Sequence, residues 1–259
     1  MNSLKLENIS KYYPKAAGAK RNVLEDINLS IDTFEKKENF VSILASFESG
    51  KTTLLKIISA IEKPDSGKVL LQNEVYDNPS GKIVFIPEKP SSFPWLNVEQ
   101  NINFIAKNKA DKVKGLIGSV GLNGYENHHP HNESLGFRFR ISLARALAVD
   151  PDFILLDDPF RRMNSETKDE IYELLRNIIV NFDVAFILAT TNISEAIYLS
   201  NKIYLMKKNP GKIIEEIKLD AETLKAKGLN RQERFISLRN EIEKSFLASG
   251  EISQTEIRI

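Results

Sequence analysis

Phe40–Thr53, FVSILASFESGKTT, is the stretch from which the rest of the chain can be read. Phe40, Val41, Ile43 and Leu44 make an apolar run of strand length. A small polar loop follows, and Lys51 to Glu62 resumes apolar residues at helical spacing. Strand, loop and helix in that order make a phosphate cradle. In the pattern GxxxxGK[ST], N–H groups of the loop and helix start point at the anion, the lysine adds positive charge and the next hydroxyl binds Mg2+. Gly50, Lys51 and Thr52 meet the pattern, whereas Ala45 stands at its first glycine and Glu48 where many ATPases have another. Taken alone, SGKTT reads equally as the cap of an amphipathic helix; later motifs decide for phosphate.

The chain has 259 residues, 42% hydrophobic and 27% charged, enough for one large core or a core with a small subdomain. Lys plus Arg at 36 against Asp plus Glu at 35 gives a net charge of +1, which predicts no nucleic-acid partner. With no cysteine there is no disulfide and no thiolate metal site. No apolar run approaches the roughly 18 residues a bilayer demands, and Met1 to Lys11 does not read as a signal peptide. The expected location is therefore cytoplasmic, at a membrane only where a partner holds the chain there.

LKLENIS (Leu4–Ser10) and VLEDINLSI (Val23–Ile31) alternate as half-exposed antiparallel strands. Between them lie Tyr12 and Tyr13, followed by a small-residue basic loop through Arg21. An aromatic here suits either stacking on a base or an ordinary sheet edge. After the cradle helix, Pro64-Asp65-Ser66-Gly67 is a turn, KVLLQNEVY a strand pair, and KIVFIP a buried strand followed by Glu88. From Pro90 to about Leu147 the pattern turns helical: NVEQNINFIAKN, DKVKGLIGSVG and SLGFRFRISLARAL. His128, His129 and His131 surround Pro130 without helical spacing and read as a solvated turn rather than a metal site.

FILLDD is a buried strand ending in Asp157 and Asp158, where open α/β sheets bind ligands and where carboxylates hold Mg2+ and position water; the other reading is a pair of caps before Pro159. A helix opens at Ser165 with Ile171, Leu174, Leu175, Ile178, Ile179 and Phe182 on one face. Val184–Thr190 is another buried strand, Asn192 caps a short helix, and strands KIYLM and KIIEEIKL follow. Arg231 to Ala248 is a charged amphipathic helix, and the tail after Gly250 is expected to be loose.

The order of these motifs resembles the ATP-binding subunits of ABC transporters, and among them the group serving nitrate, sulfonate, taurine and thiamine-precursor importers. The resemblance runs nearly the full length. Pro94-Trp95-Leu96 with Asn101, Ala144-Arg145-Ala146-Leu147, Asp157 with Pro159-Phe160, Glu195-Ala196, and Phe235, Leu238, Arg239 and Glu241 carry it. It implies an α/β fold of the P-loop NTPase, ABC type: a mixed sheet with N-terminal antiparallel strands and an inserted helical subdomain. The expected domains are 1–87 with 149–219 as ATPase core, 88–148 as helical subdomain, and 220–259 as C-terminal helix and tail.

Carried over by residue, the resemblance makes Tyr13 the adenine-stacking aromatic and Ser46, Phe47, Glu48, Ser49, Gly50, Lys51, Thr52 and Thr53 the phosphate loop. Thr52, Asp157 and Glu88 would serve the metal, and Asp158 would stand for the glutamate that polarises the attacking water. Glu88 replaces a glutamine and Thr191 a histidine that contacts the γ-phosphate. The signature, presented in trans, reads Ser134-Leu135-Gly136-Phe137 after Glu133, and Asn164 stands where an aspartate crosses a dimer interface. The implied cofactors are ATP and Mg2+. The implied partners are a membrane permease, a second ATP-binding subunit (itself or a relative) and, indirectly, an extracytoplasmic solute-binding protein.

These departures weaken chemistry more than binding. Aspartate at 158 is one methylene shorter than glutamate, and misplacement of about 1 Å costs on the order of a hundredfold in rate. Thr191 donates a hydrogen bond but reaches less far than imidazole and carries no charge. Glu88 adds negative charge beside a triphosphate, and Glu48 repels it strongly if turned inward, weakly if turned to solvent. The expectation is a subunit that couples ATP binding and slow hydrolysis to import of a small solute. The alternative is a pseudo-ATPase that binds nucleotide or scaffolds beside an active partner.

Overall fold

The alternation read in LKLENIS and VLEDINLSI becomes the first pairing of the computed structural model, which describes residues 2–14, 20–33, 39–107, 109–219 and 229–248. Most of the basic loop expected between Pro14 and Arg21, residues 220–228 and the tail after Gly250 lie outside the described residues. Strand β1 (Ser3–Pro14) pairs antiparallel with β2 (Lys20–Asp32), setting Leu4 against Ile31 and Leu6 against Leu29. These side chains are buried while Lys5 between them is exposed, the period of two that a half-covered sheet requires. β4 (Ser66–Leu71) and the short β5 (Glu74–Val75) complete a sheet of order β2-β1-β4-β5.

The chain packs as two compact units, Met1–Pro79 with Ala185–Ile259, and Ser80–Val184. In the first, β3 (Phe40–Ala45) is buried at every residue and lies parallel to both β8 (Ala185–Thr190) and β9 (Lys202–Lys207). A strand covered on both faces reads as a continuous apolar run, which is why Phe40–Leu44 shows no alternation. β10 (Lys212–Lys218) returns antiparallel on β9, so this sheet is mixed, in the order β10-β9-β3-β8. Helix α1 (Lys51–Ile58) follows β3, and α6 (Ile193–Leu199) follows β8. The C-terminal helix α7 (Leu229–Ala248) lays Leu238, Ile242 and Phe246 into one cluster with Ile193, Ala196 and Ile197 of α6 and Leu44 of β3.

In the second unit β6 (Ile83–Ile86) and β7 (Phe153–Asp157) are parallel neighbours. Around them stand α2 (Val98–Ala106), α3 (Ala110–Ser119), α4 (Leu135–Leu147) and α5 (Ser165–Asn181). Phe139, Phe160 and Tyr172 interlock edge to face at centroid distances of 5.8 and 5.2 Å. The expected helical segment 88–148 falls inside this unit, and β7 and α5 pack with it because β6 pairs with β7 and α4 meets both β6 and α5. One expected helix is shorter than read. The run to Glu62 stops as α1 at Ile58, where Ala60 turns left-handed at φ 57° and Ile61 and Glu62 both donate their N–H to the Lys56 carbonyl.

Candidate functional site

The phosphate loop is held by its own lysine. Lys51 Nζ donates to the carbonyls of Ala45 (2.9 Å) and Ser46 (2.7 Å) and lies 3.4 Å from Ser49 Oγ, with only 8% of the residue exposed. Gly50 precedes α1 at φ 94°, a left-handed turn that glycine takes without steric cost. No acid stands in the first turn of α1, so the positive end of the helix is left unneutralised for an anion. Thr52 is exposed there, and Ser49 is buried. At the tip, Phe47 and Glu48 face solvent, and Glu48 holds a left-handed backbone (φ 60°) at the position where many ATPases have glycine. The strong inward repulsion considered for Glu48 therefore does not arise; its charge is solvated.

Tyr13 sits on β1 opposite Arg21, and its hydroxyl donates to Glu62 Oε1 at 2.5 Å with Thr53 Oγ1 at 3.4 Å. Partial burial, then the hydrogen bond to Glu62, raises the phenol's pKa above its ordinary value. Lys11 Nζ lies 3.4 Å from the same carboxylate oxygen and 5.6 Å from the Tyr13 ring centre. Beyond β8, Thr191 is buried within a turn whose geometry its neighbours set. The Asn192 N–H donates to Thr190 Oγ1 (3.0 Å), which itself donates to the buried Glu195 carboxylate (2.7 Å). Asn192 Oδ1 caps α6 by accepting from the Glu195 N–H at 3.1 Å.

In the second unit Asp157 ends β7 buried, and Asp158 follows half-buried at φ 45°. Glu88 Oε1 lies 3.4 Å from Arg162 Nε and 4.0 Å from Arg161 Nη1. This is an ion pair without an aligned hydrogen bond, so the charge that Glu88 adds is opposed by two guanidinium groups. Ser134 is exposed and caps α4, accepting from the Phe137 N–H at 3.2 Å. Gly136 is buried so close to α5 that a Cβ there would lie 2.5 Å from Thr167 Cγ2. Phe137 meets the edge of Tyr125, which in turn meets His128. The histidine segment passes through a 3-10 turn at Pro130–Asn132, and the His128 carbonyl accepts from Val98 N–H at the start of α2. Asn164 caps α5 through the Thr167 N–H at 2.8 Å.

Asn101 organises the PWL segment. Buried at 0% exposure, it accepts from the Phe93 N–H at 2.8 Å and donates to the carbonyls of Phe93, Leu96 and Asn97. That folds out an aromatic group in which Phe93 stacks on Trp95, meets the edge of Phe104 and carries the Arg145 guanidinium over its face at 4.1 Å. Trp95 is 70% and Phe104 66% exposed.

The family described as ABC transporter matches residues 24–161. The aliphatic sulfonates import ATP-binding protein SsuB of Bacillus anthracis is 35% identical over 259 residues, 98% of this chain and 100% of that protein. This chain belongs to the ABC transporter ATP-binding family. The taurine import ATP-binding protein TauB of Pseudomonas fluorescens (strain Pf0-1) is 31% identical over 93% of this chain and 94% of its own length. The nitrate import ATP-binding protein NrtD of Synechocystis (strain ATCC 27184 / PCC 6803 / Kazusa) is 29% identical over 90% and 91%. Among solved structures, the dimeric ATP-binding cassette MJ0796 in a post-hydrolysis state with ADP and Pi is 26% identical. It covers 84% of this chain and 99% of its own, at a TM-score of 0.71. The fold is that of an ABC ATPase.

For an ABC cassette, sequence reading left out three groups near its motif residues. Glu62 holds the Tyr13 hydroxyl, and Arg161 and Arg162 oppose Glu88. Gly211 stitches the β9–β10 turn to β2 through the Val23 carbonyl (2.8 Å) and the Glu25 N–H (3.0 Å), and a Cβ on it would lie 2.3 Å from the Ser49 carbonyl. Pro210-Gly211 in the sequence marks a turn between the last two strands, but a local pattern carries no sign of its contact with the phosphate loop.

Proposed function

We propose that this chain is the ATP-binding subunit of a small-solute importer in the sulfonate, taurine and nitrate group, and that it hydrolyses ATP slowly. The observation that carries the reading is the loop around Lys51. Its side chain is folded over the loop's own carbonyls at the unneutralised start of α1, an arrangement that accepts a polyphosphate by trading carbonyl partners for phosphate oxygens. Lys51 then neutralises β- and γ-phosphate charge, and Tyr13 stacks on the base. Mg2+ is a hard cation that takes oxygen donors and few protein ligands besides phosphate and water, and the Thr52 hydroxyl of the first unit and the Asp157 carboxylate of the second are each donors of that kind. The metal supplies charge neutralisation of the phosphates. Asp158 accepts the proton of the attacking water as the terminal phosphoryl bond breaks. Thr191 donates to the γ-phosphate, and Ser134, Leu135, Gly136 and Phe137 complete the site of a second subunit.

The exposed Trp95 and Phe104, grouped on the half-buried Phe93 and rigidified by Asn101, suit a permease surface, which holds the chain peripherally at the cytoplasmic face. No described helix is long and apolar enough to cross a membrane. The alternative of a non-hydrolysing scaffold gains no support from the relatives. The test is Mg-ATP turnover by the purified chain, alone and with its co-purifying partners, against Lys51→Ala. The expected result is slow turnover that the substitution abolishes. Equal rates for the two proteins would overturn the enzymatic reading.

A further inference from the structure

Tyr13 is immobilised at both ends. Its backbone belongs to β1, paired with Arg21 of β2, and the neighbouring Tyr12 N–H donates to Asp65 Oδ2 at 2.7 Å. At the other end, the phenol hydroxyl donates to Glu62 Oε1 at 2.5 Å. Glu62 is itself placed by the way α1 ends. The left-handed Ala60 reverses the chain, the Lys56 carbonyl receives the Ile61 and Glu62 N–H groups at 2.9 and 3.1 Å, and Asp65 N–H then donates to the Ser10 carbonyl of β1. Lys11 closes the cluster. Its ammonium donates to the Lys63 carbonyl at 2.7 Å and stands 3.4 Å from the Glu62 oxygen that holds Tyr13. Thr53 Oγ1, one residue past the proposed metal-binding Thr52, touches the same hydroxyl at 3.4 Å.

We infer that Glu62 is a positioning residue for the base of the bound nucleotide, fixing the Tyr13 ring at a set place relative to the phosphate helix α1. The inference rests on the nucleotide-binding reading above. A ring whose tip is tied need not lose its rotational freedom when a base stacks on it. Ordering one such side chain weakens binding on the order of threefold to tenfold when the tie is missing. Stacking is tolerant of base identity because every base presents a π-face, so the effect is the same for ATP and GTP. Glu62 has no contact with Lys51 or the loop carbonyls among the described bonds, so a ligand made of phosphate alone is indifferent to it.

The experiment titrates the full chain with Mg-ATP and, separately, with Mg-tripolyphosphate, which has no base. The proteins are the wild type, Tyr13→Ala, Tyr13→Phe, Glu62→Ala, Glu62→Gln and the double variant Tyr13→Phe/Glu62→Ala; thermal melts confirm folding. Tyr13→Phe and Glu62→Ala are each expected to weaken Mg-ATP about threefold to tenfold and leave tripolyphosphate unchanged. The double variant should be no worse than either single, and Glu62→Gln, whose amide oxygen still accepts the hydroxyl's hydrogen bond, should restore most of the affinity. Wild-type affinity in Tyr13→Phe, or an equal loss of both ligands in Glu62→Ala, overturns the positioning role. Unchanged ATP affinity in Tyr13→Ala overturns base stacking while leaving phosphate binding intact, and failure of the wild type to bind either ligand overturns the nucleotide reading itself.

Discussion

Replacing Glu48 by glycine is expected to make the protein more stable and its phosphate loop more receptive, by two separable effects. The first is conformational. Glu48 sits at φ 60°, where an L-residue brings its Cβ against the following carbonyl at about 1–2 kcal/mol, while glycine gives back about 0.5–1 kcal/mol through its more disordered unfolded state. The difference is a stabilisation of about 0.5–1 kcal/mol, or about 1–2 °C in melting temperature for a protein of this size. The second is electrostatic. Glu48 is exposed, so its field reaches a bound polyphosphate mostly through water: about 0.5 kcal/mol per unit charge at about 8 Å, or about twofold to fivefold in affinity for a divalent complex. Glu48→Gln removes the charge and keeps the backbone strain. It should therefore raise Mg-ATP affinity without raising the melting temperature, whereas Glu48→Gly should raise both. Calorimetric titration at low and at about 0.5 M salt, where the Debye length falls to about 4 Å, should show the affinity gain shrinking with salt. A lower melting temperature for Glu48→Gly, or an affinity gain that salt does not touch, would refute the reasoning.

Gly136→Ala should destabilise by about 1–3 kcal/mol because the new Cβ meets the Thr167 methyl group, and Thr167→Ser should recover most of the loss; urea midpoints of the single and double variants check this, and simple additivity counts against it. Ile242→Ala should cost about 2–5 kcal/mol and, since the side chain packs with α6, should speed hydrogen exchange in Ile193–Leu199 as well as in α7; exchange confined to α7 would show the two helices are not coupled. Burial, outweighing its bond to the Ser30 carbonyl, raises the pKa of Tyr204, so the folded state keeps a proton that the unfolded chain releases. Stability is then whole below about pH 10, falls as pH rises through the elevated value, and should fall less steeply in Tyr204→Phe in melts between about pH 9 and 11.

What was legible in the sequence is what a local pattern carries. FVSILASFESGKTT announced strand, loop and helix, because an unalternating apolar run, a left-handed glycine and a helix start each leave a mark within a few residues. FILLDD and the helix opening at Ser165 were legible for the same reason. The end of α1 was not, since Ile61 continues the helical spacing past the point where Ala60 reverses the chain. Nor was Glu62: its partner Tyr13 lies 49 residues earlier, and an acid next to a lysine looks like any solvated turn. Arg161 and Arg162 likewise read as surface charges until the fold brings Glu88, more than 70 residues earlier in sequence, beside them.

Those long-range partners change how the motif departures weigh. Taken singly, Glu48 and Glu88 each place a negative charge where a phosphate-binding protein should resist one. In the folded chain Glu48 is turned to water, and Glu88 faces two guanidinium groups supplied by the segment just after the acid pair. Ser134 and Asn164, which stand at motif positions, also accept the first free N–H groups of α4 and α5, and Asn192 does the same for α6 beside Thr191. Selection on the fold would keep such residues whether or not hydrolysis were fast, because losing a cap costs about 1 kcal/mol. The residues without a structural task of that kind are therefore the more telling ones. Lys51 is foremost among them: it caps no helix, and the loop carbonyls it holds at the start of α1 can be exchanged for the oxygens of a bound polyphosphate.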